Sequence, residues 1–322
     1  MSKIFNKNDY RTTDEKVKII IDTDPGVDDS VCIVYAMTDE NIEVKLMTTV
    51  VGNIPVKKCT RNLLHLLELF NFDVPVAEGA CCALKRISPT AEHIHKKEGL
   101  GKYLPSEPTY LRALPVSAVE AMYKVISEGD GDIIPVMLGP LTNIANLLLS
   151  HPEIKEKIPQ IVIMGGAPHG NPDYPVHVSF NLSSDPEALQ VVLDSGIPIL
   201  MCPSHIGRYK AHLEADFVES LKDMGDVGRF FHTLYDGYWE PTAPTKRVTT
   251  NDSCALFALV YPKIFKFKTV NVKVNVTDAP GRTQIDFLPD GKIRFIDDLD
   301  REAFINLITT ELEDLKSTKL DF

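Results

Sequence analysis

The sequence predicts an α/β protein: a mostly parallel central sheet with helices on both faces and an antiparallel elaboration at the C-terminal end. Two observations carry that expectation. From residue 17 to about residue 214, short apolar β-branched runs alternate with segments of helical periodicity, the pattern of right-handed βαβ units. Beyond residue 214 the order changes to consecutive helical stretches and then to alternating apolar and polar runs, as antiparallel strands require. The 322 residues contain no linker rich in Pro, Gly or Ser and no internal repeat. One domain over 17–322, preceded by a loose polar lead-in at 1–16, is therefore expected.

Taken in order, residues 17–21 form an apolar strand and 30–37 continue as helix. Residues 44–51 read as a strand, 56–70 as an amphipathic helix and 73–77 as a short strand. A helix at 116–126, a strand at 132–138, a helix at 141–149 and a strand at 160–164 ending in Gly165-Gly166 follow. Asp185-Pro186 opens another helix, with Asp as cap and Pro at the first helical position. Residues 197–202 are again a strand. Helices are then expected at about 215–222 and 227–238 and from near Ser253, strands at 269–276 and 283–296, and a closing helix at 301–315.

The most informative segment follows the first strand: Asp22-Thr-Asp24-Pro-Gly26-Val-Asp28-Asp29. A strand that ends in acids, turns through Pro-Gly and enters a helix places several carboxylates at one sheet edge, where like charges repel strongly at low dielectric. A hard cation relieves that repulsion, and oxygen-only ligation favours calcium or magnesium over zinc. A solvated acidic turn, with Asp28 or Asp29 capping the helix, would explain one such residue but not four. An EF-hand is excluded by spacing: counted from Asp22, Gly26 and Ile33 fall where that loop needs an oxygen ligand and a bidentate Glu. No phosphate-cradling Gly-Lys-Ser/Thr loop is present.

A net charge of −11 argues against nucleic acid or an anionic membrane as partner. The six cysteines show no Cys-x-x-Cys spacing and read as buried free thiols of a reducing compartment. With no apolar leader at the N-terminus and no apolar run of membrane-spanning length, a cytoplasmic protein is expected.

Ligands of open α/β sheets bind beyond the carboxyl ends of the strands. The polar residues there are Asp22 to Asp29, Asn53, the run Leu138-Gly-Pro-Leu-Thr142-Asn143, the stretch from Gly165 to Asn181, and Ser204-His205. At these positions the chain resembles the inosine-uridine-preferring nucleoside hydrolase family, from about residue 17 to the closing helix. The segments that carry the resemblance are the acidic run, Thr48-Thr-Val-Val-Gly-Asn53, His93-Ile-His95 with Gly99-Leu-Gly101, Leu138 to Asn143, Met164-Gly-Gly166, Ser179-Phe-Asn181 with Asp185-Pro-Glu-Ala188, and Asn251-Asp252.

The resemblance implies a Rossmann-like nucleoside hydrolase fold and hydrolysis of the N-glycosidic bond of nucleosides. It implies a calcium ion (Ca2+) held by Asp24, Asp29, the main-chain carbonyl of Leu138 and Asp252, with Asp24 also the general base toward the attacking water. Asp28, Asn53, Asn171 and Asn181 would hold the sugar hydroxyls, His95 would be the surviving active-site histidine, and Tyr235 and Trp239 would lie near the base. A homodimer or homotetramer is implied as well.

Two departures stand out. Ser179 occupies the place of the Glu in the family's Glu-Phe-Asn triplet, and the stretch before it is about two residues longer, so Asp173 or His177 could compensate. Asn251 occupies the place of a His that protonates the leaving base in purine-acting and mixed-specificity members; Asn can hydrogen-bond a base but cannot protonate it. A pyrimidine-leaning enzyme is expected. A changed N-glycoside substrate is a second reading, and a catalytically impaired nucleoside or sugar binder a third. A phosphohydrolase is disfavoured because the acidic run and the helix after it contain no Lys or Arg.

Overall fold

The structure is a computed structural model describing residues 5–167, 178–239, 243 and 245–320. The strands are β1 (Val17–Thr23), β2 (Ile42–Thr49), β3 (Val76–Glu78), β4 (Ile134–Met137), β5 (Ile161–Met164), β6 (Ile199–Cys202), β7 (Leu213–Glu214), β8 (Arg247–Val248), β9 (Phe265–Val274), β10 (Thr283–Phe287) and β11 (Ile293–Leu299). All but the small β7–β8 pair join one sheet in the order β10-β9-β11-β6-β5-β4-β1-β2-β3. From β11 to β3 every pairing is parallel, while β9 and β10 are antiparallel additions at one edge. The expected antiparallel elaboration is thus real but shares the main sheet. The run expected as one strand over 283–296 breaks at Leu288-Pro289-Asp290-Gly291, and its second half returns parallel to β6.

The helices are α1 (Val27–Thr38), α2 (Val56–Leu69), the single-turn α3 (Glu92–His95), α4 (Ala118–Glu128), α5 (Thr142–Ser150), the short α6 (Phe180–Ser184), α7 (Pro186–Asp194), α8 (Ala215–Ser220), α9 (Gly225–Tyr235), α10 (Asn251–Val260) and α11 (Arg301–Asp314). Strand pleating divides the apolar side chains between two layers. Ile19 and Ile21 join the core beneath α1, α2, α9, α10 and α11, whereas Ile20 faces the core built from α4, α5 and α7. The chain adds β2 and β3 on one side of β1 and β4 to β6 on the other, so the sheet's switch point opens between the carboxyl ends of β1 and β4.

Two expectations need correction. The lead-in is docked: Lys7, within a short 3-10 turn at Lys7–Tyr10, is buried with its ammonium 2.6 Å from Glu311 and 3.5 Å from Asp39. Arg11 adds a bond to Asn41, whose amide in turn donates to Tyr261. The polarity of the segment hid this, because the lysine's partner lies more than three hundred residues away, in α11. The cysteines also divide: Cys32, Cys59, Cys202 and Cys254 are buried free thiols, but Cys81 and Cys82 are exposed. No helix among the described residues is long and apolar enough to cross a membrane.

Candidate active site

The acidic run occupies the switch point. β1 ends at Thr23, Pro25-Gly26 turns the chain, and α1 begins at Val27, so Asp28 and Asp29 lie in its first turn. Asp29, at the third helical position, accepts the Gly26 N–H (3.1 Å) on one oxygen and the Thr23 hydroxyl (2.5 Å) on the other, a cap that also fixes its carboxylate. The Asn53 side-chain amide donates to the same carboxylate (3.0 Å). Of the four acids, Asp22 is turned away. It shares the pleat face of Ile20, and its carboxylate accepts from Thr48 (2.5 Å) and from Asn143 on α5 (2.7 Å). Burial pushes its carboxyl up to about 7.

Asp24 is buried just after β1 and is not among the residues lining the cavity described below. Its Oδ2 accepts the Asn53 N–H at 2.7 Å, while the buried Oδ1 has no hydrogen-bond partner among the described residues. Two glycines make the space: a Cβ on Gly52 would lie 2.0 Å from Oδ2, and one on Gly139 would lie 2.8 Å from Oδ1. Asp252, the second residue of α10, completes the group from the neighbouring helix on the same face of the sheet as α1. Carboxylate oxygens of Asp28, Asp29 and Asp252 lie within 4.8 Å of one another, and all three residues are buried. Burial raises the carboxyls of Asp24, Asp28, Asp29 and Asp252, and for all but Asp29 neighbouring carboxylates push further the same way.

Four buried carboxylates with one orphaned oxygen suit a hard divalent cation, which would offset both desolvation and mutual repulsion. The grouping differs in one respect from the ligand set the sequence implies: Asp28 joins Asp29 and Asp252, and Asp24 lies outside that 4.8 Å set. The Leu138 carbonyl, at the end of β4, accepts from the Asn181 side-chain amide. A carbonyl oxygen has a second lone pair, so this bond leaves room for another partner.

Above the acids lies a cavity of about 280 Å³. Asp28, Asp29, Asn53, Leu138, Asn181 and Asp252 line its acidic end, and His95, Ser179, Trp239 and Asn251 line the rest. Asn171, Asp173 and His177 lie outside the described residues. Tyr235 is a correction. It is buried in the core beneath α1 and does not line the cavity; Tyr238, three residues on, does. Tyr238 hydrogen-bonds Asp28, accepts from the Thr249 hydroxyl (3.1 Å) and packs its ring 5.0 Å from His95. α9 ends at Tyr235, so helical spacing no longer applies where the aromatic enters the cavity.

His95 is held in one tautomer. Its Nδ1 accepts the Val27 N–H (3.1 Å), leaving the proton on Nε2, and a Cβ on Gly26 would sit only 2.4 Å from that Nδ1. Burial, with help from His93, lowers its pKa to about 3. The ring is a neutral hydrogen-bond donor at its Nε2. Trp239 carries the Lys246 ammonium 3.9 Å from its ring centroid. The cavity also contains Ser204, one of the strand-end residues expected at the crevice, and Arg208, which the sequence does not single out. Arg208 belongs to a π-helical turn at Ile206–Lys210 that no sequence period signals.

A carboxylate-rich crevice at the switch point of a doubly wound sheet, with aromatic and amide groups above it, has the make-up of a small-molecule hydrolase site. Comparison with known proteins gives the class its family. The inosine-uridine preferring nucleoside hydrolase profile matches residues 19–306, and the chain belongs to that family of N-glycosyl hydrolases. It is 35% identical over 273 residues to the non-specific ribonucleoside hydrolase RihC of Escherichia coli O127:H6, covering 84% of this chain and 88% of that protein. The Klebsiella pneumoniae RihC is 36% identical over the same shares. Among solved structures, the purine-preferring ribonucleoside hydrolase from Gardnerella vaginalis superposes with a TM-score of 0.85 at 28% identity, over 94% of this chain and all of that one.

Proposed function

We propose that this enzyme hydrolyses the N-glycosidic bond of ribonucleosides, leaning toward pyrimidines, with a calcium ion held among Asp24, Asp29, Asp252 and the Leu138 carbonyl. The observation that carries the reading is the buried carboxylate cluster beneath a nucleoside-sized cavity, with Asp24 Oδ1 left unpartnered. Calcium, when bound, would acidify a water and orient the sugar hydroxyls. Asp24, framed by Gly52 and Gly139, accepts the proton of the attacking water. Asp28, held by Tyr238, and Asn53, Asn171 and Asn181 bind the ribose, and the carboxylates stabilise positive charge developing at C1′. Trp239 offers a face to the base, with His95 donating from Nε2.

Two side chains tune specificity. Ser179 precedes α6 and lines the cavity where an acid would grip the sugar, and Asn251 hydrogen-bonds a base without protonating it. Uridine should therefore be turned over better than adenosine. The variant Ser179→Glu with Asn251→His should raise inosine hydrolysis, since a charged hydrogen bond contributes roughly 1.5–3 kcal/mol. A double variant that gains nothing, alongside a native protein that turns over some other N-glycoside well, would favour the changed-substrate reading that Ser179 suggests. Retention of the base Asp24 argues against a mere binder.

Calcium should bind one site and raise the melting temperature of chelator-treated protein, because the metal-free cluster is repulsive. No heat of binding at millimolar calcium in calorimetry would remove the metal from the scheme. A cytoplasmic location and a homodimer or homotetramer accompany the proposal; light scattering measures the assembly. The experiment for the whole reading is a turnover screen with uridine, inosine, cytidine, adenosine and their deoxy forms, with and without chelator.

A further inference from the structure

Arg208 is the only Arg or Lys among the described residues lining the cavity. The preceding Gly207 is pressed against Asn251: a Cβ there would lie 2.5 Å from Asn251 Oδ1 and 2.6 Å from Asn251 N. The π-helical turn that carries Arg208 thus packs beside Asn251, the position where a leaving-group acid is missing, and both residues line the cavity. The cavity is lined by carboxylates and by one guanidinium-bearing side chain. That combination of charges matches the charge separation of a breaking N-glycosidic bond, positive at C1′ and negative on the base.

We propose that Arg208 is the leaving-group residue of this enzyme, acting by stabilising the departing base as an anion instead of protonating it. This rests on the hydrolase reading above. The C1′–N bond breaks with its electron pair going to the base nitrogen. Water bonds to C1′ and gives its proton to Asp24, and solvent returns that proton to the released base, so that nucleoside and water become ribose and neutral base. Arg208 keeps its protons throughout, as a guanidinium must. The substrate class follows: bases whose negative charge spreads onto carbonyl oxygens, such as uracil and hypoxanthine, can present an oxygen to the guanidinium fork. Adenine and its relatives without such oxygens cannot.

Arg208→Gln, with Arg208→Lys beside it, tests this on uridine, 5-fluorouridine, inosine and 4-nitrophenyl β-ribofuranoside, whose leaving group stabilises its own charge. Arg208→Gln should lower kcat/KM on uridine and inosine by on the order of a hundredfold but the nitrophenyl riboside by less than about threefold, the loss expected for one preorganised anion donor. The advantage of 5-fluorouridine over uridine should widen in that variant, since a more acidic base needs less help, and Arg208→Lys should recover part of the loss. A parallel fall on all four substrates would make Arg208 structural and overturn the proposal, as would no fall on any. If the native protein hydrolyses none of them, the hydrolase reading itself fails, a result distinct from either.

Discussion

Asp24→Asn is expected to lower kcat for ribonucleoside hydrolysis by on the order of a hundred- to ten-thousand-fold, the usual cost of a lost general base. KM should move far less. The carboxylate is wedged between Gly52 and Gly139, so an isosteric amide fits the same slot. Stability should respond oppositely to activity: in metal-free protein, burial and the neighbouring carboxylates Asp29 and Asp28 already penalise charge at this position. The variant's melting temperature in chelator should therefore equal or exceed that of the native protein. Steady-state kinetics paired with thermal melts checks both; near-native turnover would mean that Asp24 is not the base.

Above about pH 7, where Glu311 is ionised, Lys7→Met is expected to destabilise the fold by about 3–5 kcal/mol, the cost of removing one partner from a buried ion pair and leaving the other uncompensated. Lys7, Glu311 and Asp39 are all nearly inaccessible, and the lysine joins the N-terminal turn to α11 and to the end of α1. The pH dependence has a definite sign. Burial, reinforced by Asp39, raises the Glu311 carboxyl to about 7. In the folded state it thus holds a proton that the unfolded chain has released, so its contribution is complete below the ordinary Glu range and is lost as pH rises through about 7. Without Lys7 to offset the charge, stability should fall more steeply between about pH 5 and 8. Denaturant melts across that range measure this; a loss below about 1 kcal/mol would show a solvated pair of little consequence.

The parallel strands from β1 to β6 were legible because they are largely apolar runs covered by helices, and the switch point followed from the acids behind the first such run. What escaped was whatever depends on direction. Asp22 belongs to the acidic run, yet pleat parity turns it to the Ile20 face and into bonds with Thr48 and Asn143. Tyr235 and Tyr238 are alike in sequence, but the helix stops between them and only the second reaches the cavity. Arg208 follows the Ser204-His205 pair by only a few residues, and a π turn that carries no periodic signature brings it inward. The docking of Lys7 needed a partner at the other end of the chain. The acids and amides of the site were recognisable as residue types at strand ends; the bonds that assign each one a task were not.

The most direct test is ribose release from uridine by metal-stripped protein as calcium is added back. Turnover should be absent in chelator, return saturably with calcium, and fail to return in Asp24→Asn at any calcium concentration. Full turnover in excess chelator would contradict the metal-assisted mechanism at its root, whatever the specificity proves to be.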